Sequence, residues 1–237
     1  AYGILTGMRP VKLVHRLLDQ GLDQERVLAS LCTDFRVNAA KARLLTEVAF
    51  HNRPVVAASR LEPRALALYV GIPYCPSRCY YCSFPGGILR DYEQDIKPFL
   101  AALYCEMEHM AAVLQDLGLW IQSIYLGGGT PTVLSCGDLA DLFELLHRLF
   151  IGPGTEEITV EAGRPDTLTP EKLVLLKQAG VERVCINPQT MNETTLHAIG
   201  RNHDLKGVMR SLEWARKAGI KTINMDLIIG LPGEGLE

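Results

Sequence analysis

Apolar and polar positions change rhythm once along this chain. Up to about residue 65 the rhythm is helical. Val11-Lys12-Leu13-Val14-His15-Arg16-Leu17-Leu18 repeats apolar side chains at helical spacing and stops at Gly21, and residues 41–50 do the same. Arg53-Pro54 and Glu62-Pro63 punctuate the stretch after residue 50. A helical segment over residues 1–65 is therefore expected, with a second region over 66–237.

In the second region short apolar runs alternate with longer amphipathic ones. The runs 67–72, 121–126, 158–161, 183–187 and 222–229 read as strands. Helices are expected over 91–117, 138–150, from the Thr169-Pro170 cap to Gly180, and over 204–218. A faint repeat supports this. Gly118-Leu119, Gly180-Val181 and Gly219-Ile220 each stop a helix shortly before an apolar strand. Repeated βα units with buried strands predict a parallel sheet, either a barrel or doubly wound. In a barrel the chemistry sits at the C-terminal strand ends.

Composition narrows this only modestly. The 237 residues are 48% hydrophobic and 22% charged, enough for one large domain, or for one domain plus an appendage. A net charge of −3 argues against a general nucleic-acid binder. No apolar run reaches membrane-spanning length, and no signal-peptide pattern opens the chain. Seven cysteines without a paired framework point to a reducing compartment, the cytoplasm. Cys32, Cys105, Cys136 and Cys185 lie in apolar stretches and read as core packing.

The other three cysteines form one run after the first strand, Cys75-Pro76-Ser77-Arg78-Cys79-Tyr80-Tyr81-Cys82. A closed structural zinc site takes four ligands; this loop offers three. Three thiolates suit a [4Fe–4S] cluster with one iron left open. Packed core thiols or part of a split zinc site are the alternatives. Gly127-Gly128-Gly129-Thr130-Pro131 follows the second strand, where a glycine turn lets a ligand approach the backbone closely. Glu161 and Asp226 are acids on otherwise apolar strands. They would either bind a ligand or pair with Arg164, Arg183 or Arg201.

The cysteine spacing resembles the signature of radical S-adenosylmethionine (SAM) enzymes. A longer ordered set is similar to the oxygen-independent coproporphyrinogen III oxidase family. It comprises Tyr69, Ile72-Pro73-Tyr74-Cys75, Tyr81-Cys82, residues 127–131, Gln189, Arg201 and Asp226-Leu227-Ile228-Ile229-Gly230-Leu231-Pro232-Gly233. The runs 4–10, 160–165 and 186–190 resemble its coproporphyrinogen dehydrogenase branch more narrowly. The resemblance implies a partial βα barrel with about five strands present, an α/β fold lacking one further βα unit beyond Glu237. It implies cluster ligation by Cys75, Cys79 and Cys82. It further implies SAM contacts from Tyr69, Tyr81, Gly128, Gly129, Thr130, Glu161, Gln189, Arg201, Asp226 and Ile228.

The implied chemistry is reductive cleavage of SAM and oxidative decarboxylation of porphyrinogen propionates to vinyl groups. A flavodoxin or ferredoxin would be the electron donor. Two positions depart from the best-known oxidases: Phe84 stands where they carry a fourth cysteine, and Gly71 where they carry histidine. A haem-binding chaperone of the same family and a radical SAM enzyme on another substrate are the rival expectations.

Overall fold

A computed structural model describes residues 2–5, 9–84 and 86–235, with the backbone alone over 57–61. The run 4–10 therefore lies partly outside the described residues. The chain divides into two compact units, Ala1–Pro63 and Arg64–Glu237.

The first unit holds three helices: α1 (Val11–Asp19), α2 (Gln24–Thr33) and α3 (Ala39–Leu61). Asp23 caps α2 by accepting from the Arg26 amide, and Asn38 caps α3 through the Ala40 amide. Val14, Val27, Leu31, Val37, Ala42, Leu45 and Ala49 form its core. Pro54 does not end the chain's third helix as the sequence leads one to expect. It sits inside α3, which runs on to Leu61. A proline ring removes one amide donor, and the turns on either side supply the remaining ladder.

In the second unit, strands and helices alternate. They are β1 (Ala65–Ile72), β2 (Tyr74–Cys75), β3 (Gly87–Ile88), α4 (Leu89–Tyr92), α5 (Ile96–Leu117), β4 (Trp120–Gly128), α6 (Cys136–Leu149), β5 (Glu157–Glu161), α7 (Pro170–Gln178), β6 (Arg183–Cys185), α8 (Glu193–Ala198), α9 (Leu205–Lys217) and β7 (Thr222–Asn224). The main sheet is five-stranded, ordered β1-β4-β5-β6-β7, and every pair is parallel. Each new strand joins the same growing edge. A doubly wound sheet would reverse its order midway; this one does not, so the winding is that of a βα barrel.

Local chemistry explains the helices between strands. Ser135 caps α6 by accepting from the Asp138 amide at 3.1 Å, and Leu139, Leu142, Phe143 and Leu146 then fall on one buried stripe. Thr169 caps α7 with Pro170 in its first turn, and Asp204 caps α9. Gly118 ends α5 in the left-handed region at φ 63°. The core joins the helix-facing sides of β4, β5 and β6 to these helices through Leu126, Leu142, Val160, Leu176 and Val184, leaving Tyr125 and Glu161 on the opposite face of the sheet.

Four expectations change. The helix expected over 91–117 is interrupted: a turn of 3₁₀ helix over Glu93–Asp95 separates α4 from α5. β1 is not fully buried, with Tyr69 56% exposed, because this strand pairs on one side only among the described residues. The fourth strand stops at Cys185, because Pro188 has no amide to donate to a ladder. The fifth stops at Asn224. There the Asp226 amide turns to the Asn187 side chain at 3.1 Å. Pairing resumes for one isolated parallel bridge, Gln189 to Leu227. Asp226 thus lies just beyond β7 rather than within it.

Candidate functional site

The cysteine loop leaves β1 through β2 and returns through β3, which pairs with β2 in parallel. Cys75 lies in β2; Cys79 and Cys82 lie in the loop after it. All three line one cavity of about 70 Å3 together with Gly128 and Gly129 at the end of β4. The Cys75 Sγ lies 3.5 Å from the Thr130 hydroxyl. Burial pushes the Cys75 thiol up, while the Thr130 hydroxyl and the Arg164 charge pull it back.

The rest of the barrel mouth grips this loop. Tyr80 donates its amide to the Ile199 carbonyl at 3.0 Å, and the Ser77 hydroxyl donates to the Gly200 carbonyl at 3.4 Å. A Cβ on Gly200 would lie 2.7 Å from the Arg78 carbonyl oxygen, at φ 77°, so only glycine fits there. Arg201 is 4% exposed and directs Nε and Nη2 to the Tyr81 hydroxyl at 3.2 and 2.9 Å and Nη1 to the Gly163 carbonyl at 2.8 Å. Burial pushes the Tyr81 phenol up to about 12.

Arg164 makes the densest set of contacts. It is 3% exposed. Nε and Nη2 pair with both Asp166 carboxylate oxygens at 3.1 Å. Nη2 also reaches the Ser77 hydroxyl at 2.8 Å. Nη1 donates to the Ser77 carbonyl at 3.2 Å and to the Cys79 Sγ at 3.4 Å.

Across from the loop, β4, β5 and β6 raise a second group. The Tyr125 hydroxyl donates to Glu161 Oε1 at 2.8 Å, and its ring stacks on Tyr69 at 5.8 Å with the planes 10° apart. Burial raises the Glu161 carboxyl, and Asp226 adds to it, while the Tyr125 hydroxyl and the Gly128 amide oppose the rise. Burial and then Glu161 raise the Tyr69 phenol. Gln189 adopts φ 67° and is strapped to the last segment. Its amide donates to the Asp226 carbonyl at 3.0 Å and its carbonyl accepts from Ile228 at 2.8 Å. Gln189 and Ile228 line one cavity of about 650 Å3.

The glycine run has a backbone reason of its own. A Cβ on Gly129 would lie 2.5 Å from the Tyr74 carbonyl oxygen, and one on Gly128 would lie 3.1 Å from the Ile72 backbone at φ 104°. A Cβ on Gly127 would meet the Tyr69 hydroxyl and Glu161 at 2.9 and 3.1 Å. These glycines let β4 close against the start of the cysteine loop, where the Gly129 and Thr130 amides donate to Ile72 and Tyr74 at 2.7 Å each.

Comparison with known proteins matches the Radical SAM superfamily model to residues 69–237. The chain belongs to the radical SAM superfamily. It is 39% identical over its whole length to the oxygen-independent coproporphyrinogen-III oxidase-like protein HemZ of Bacillus subtilis (strain 168), covering 47% of that protein. It is 39% identical over 171 residues to the heme chaperone HemW of the same organism, covering 71% of this chain and 44% of that one. The structure of the Escherichia coli coproporphyrinogen III oxidase HemN, a radical SAM enzyme, superposes with a TM-score of 0.66 at 31% identity. That match covers 72% of this chain and 38% of the HemN chain. The chain spans about half the length of the curated relatives it matches.

Membership implies a [4Fe–4S] cluster and SAM, and the donor set fits them. Each cysteine of a cubane binds its own iron, so the sulfurs stand around a cluster rather than meeting at one point. Here three thiols of one loop share one cavity. Gly128 and Gly129 line that cavity, and Glu161 lies against the same glycine run, whereas Gln189 and Ile228 line a separate cavity.

Of the ion pairs expected for Glu161 or Asp226, none forms among the described residues. Arg164 pairs with Asp166, Arg183 with Glu157, and Arg201 holds Tyr81. Of the spare cysteines only Cys185 is buried. Cys105 is exposed rather than packed in the core, and it lies on the outer face of α5. Sequence reasoning does not single out Tyr125, Ser77 or His203. Tyr125 alternates with Gly127 on β4 and so shares its face, a signal the sequence does carry. His203 is 6% exposed, and neither ring nitrogen makes a well-formed hydrogen bond.

Proposed function

We propose that this protein uses a [4Fe–4S] cluster on Cys75, Cys79 and Cys82 to cleave SAM, and that its substrate is a porphyrinogen such as coproporphyrinogen III. One observation carries the cluster reading: three thiols of a single loop share a cavity with the Gly128–Gly129 backbone at the C-terminal end of β4, while the substrate class rests on the likeness to HemZ and HemN. When bound, the cluster and SAM would supply one-electron reduction and a hydrogen-abstracting carbon radical; taking a propionate to a vinyl group then gives the hydrogen atom to 5′-deoxyadenosine, releases CO₂ and passes one electron to an external acceptor.

The chain's own residues hold and orient. Thr130 sits against Cys75, and Arg201 fixes Tyr81 next to Cys82. Glu161, kept in place by Tyr125, would accept from the cationic end of SAM. Gln189, Asp226 and Ile228, joined by backbone hydrogen bonds, would hold the ribose and adenine. Tyr69, Gly128 and Gly129 would add contacts near the cysteine loop. A flavodoxin or ferredoxin supplies the electron.

The second reading is a haem-delivering chaperone, favoured by the likeness to HemW. The test is anaerobic reconstitution with iron and sulfide, followed by SAM, reductant and coproporphyrinogen III. An oxidase yields 5′-deoxyadenosine together with vinyl product. Stable haem binding without vinyl product establishes the chaperone instead. Replacing Cys75, Cys79 or Cys82 with alanine abolishes the visible absorption near ~400 nm expected of thiolate-bound iron–sulfur clusters, while Cys105→Ala leaves it intact.

A further inference from the structure

The buried guanidinium of Arg164 does more than brace a loop. It is 3% exposed, it hydrogen-bonds the Cys79 sulfur, and its charge is shared between that sulfur and Asp166. We propose that Arg164 and Asp166 form a charge couple that sets the reduction potential of the cluster bound by Cys75, Cys79 and Cys82. The inference rests on the proposed cluster ligation and extends it to a residue outside the ligand set.

The physics is direct. Reduction adds one negative charge to the cluster and its thiolates. A fixed positive charge close to a ligating sulfur favours the reduced state, and an N–H donor to that sulfur withdraws electron density in the same sense. Burial magnifies both effects, because few waters are present to screen them. Asp166 opposes the charge from the far side of the same guanidinium, accepting from both Nε and Nη2 at 3.1 Å. The geometry is over-determined: five contacts at 2.8–3.4 Å fix the fork, two of them to Ser77 in the cysteine loop. Lysine offers a point charge without that planar fork.

The two partners give the couple opposite signatures. The experiment is an electrochemical titration of the reconstituted protein, read by the EPR signal of the reduced cluster. Arg164→Gln removes the positive charge and shifts the midpoint to more negative potential. Asp166→Asn leaves the guanidinium less neutralised and shifts it to more positive potential. A purely bracing role would move both variants the same way or neither, and that result overturns the proposal. If Arg164→Gln takes up no cluster, Asp166→Asn decides alone: a positive shift supports the couple, and no shift or a negative one sinks it.

Arg164→Lys separates charge from fork. Its midpoint should stay nearer wild type than that of Arg164→Gln, although amide exchange at Ser77 and Cys79 in the metal-free protein rises equally in both. A Lys midpoint matching Gln overturns the role of charge. Failure of the wild type to take up iron and sulfide would instead refute the ligation itself, so the two failures are distinguishable.

Discussion

His203 ties the acid stability of the barrel to the arginines at its mouth. The ring is 6% exposed, and burial together with the nearby Arg201 and Arg164 charges lowers its pKa from 6.5 to about 4, with Asp166 opposing. The folded chain therefore resists protonation that the unfolded chain accepts. Below pH 6.5 the unfolded state binds the proton first, so stability falls as pH drops from about 6.5 to about 4 and levels off below that. The difference of about 2.5 pH units, at about 1.36 kcal/mol each, sets an upper value of about 3.4 kcal/mol, of which about 3 kcal/mol is lost by pH 4. His203→Gln keeps a polar side chain of similar size and removes the titration. Urea unfolding of metal-free protein under reducing conditions provides the assay, read by the fluorescence of Trp120 and Trp214, both in the second unit. Acidic side chains titrate in both proteins, so the quantity to follow is wild type minus variant. That difference should change by up to about 3 kcal/mol between pH 7 and pH 4, with wild type losing more. Parallel curves across this range would refute the assignment of a neutral His203 kept uncharged by burial and the nearby Arg201 and Arg164 charges.

Two further perturbations test the site's framework. Gly129→Ala forces a Cβ to within 2.5 Å of the Tyr74 carbonyl oxygen. It should cost about 2–4 kcal/mol in chemical unfolding, from overpacking plus the strained Ile72 and Tyr74 hydrogen bonds. Gly152→Ala, with nothing within 4 Å of its Cβ, is the control that should cost little. Asp226→Asn keeps the backbone ties to Gln189 and Asn187 but loses a charge. It should weaken SAM binding by about 1.5–3 kcal/mol with cluster content unchanged, measured by calorimetric titration. Gly128→Val is a poorer probe than its spacing implies, because φ 104° and the Ile72 backbone penalise any side chain there before a ligand is considered.

The features legible in the sequence are local. Cys75, Cys79 and Cys82, the run 127–131 and the Thr169-Pro170 cap each announce themselves within a few residues. The winding of β1, β4, β5 and β6 follows from a repeat of helix stop, turn and apolar run. The hidden features depend on partners far along the chain. Arg164 reaches Cys79 across 85 residues, and Arg201 reaches Tyr81 across 120. No periodicity encodes such a meeting. The early ends of β6 and β7 are hidden for another reason. Apolar runs continue through Ile186 and Ile228, but Pro188 and the Asp226–Asn187 bond interrupt the ladder. Pro54 misleads in the opposite direction, since a proline weakens a helix without always ending it.

The anchors that hold the cysteine loop also impose an order in time. Ser77 bonds Gly200, 123 residues later, and Cys79 waits for Arg164, 85 residues later. At synthesis rates of roughly 5–20 residues per second, the three thiols leave the ribosome about 6–25 seconds before the last of these partners exists. Thr130 and Arg164 emerge within that interval, but until they do nothing downstream orders the loop, and its sulfurs face oxidants as ordinary flexible thiols. Inserting metal too early would meet an unshaped loop. The nascent chain therefore has a window in which its three loop thiols are exposed before the contacts that shape them can form.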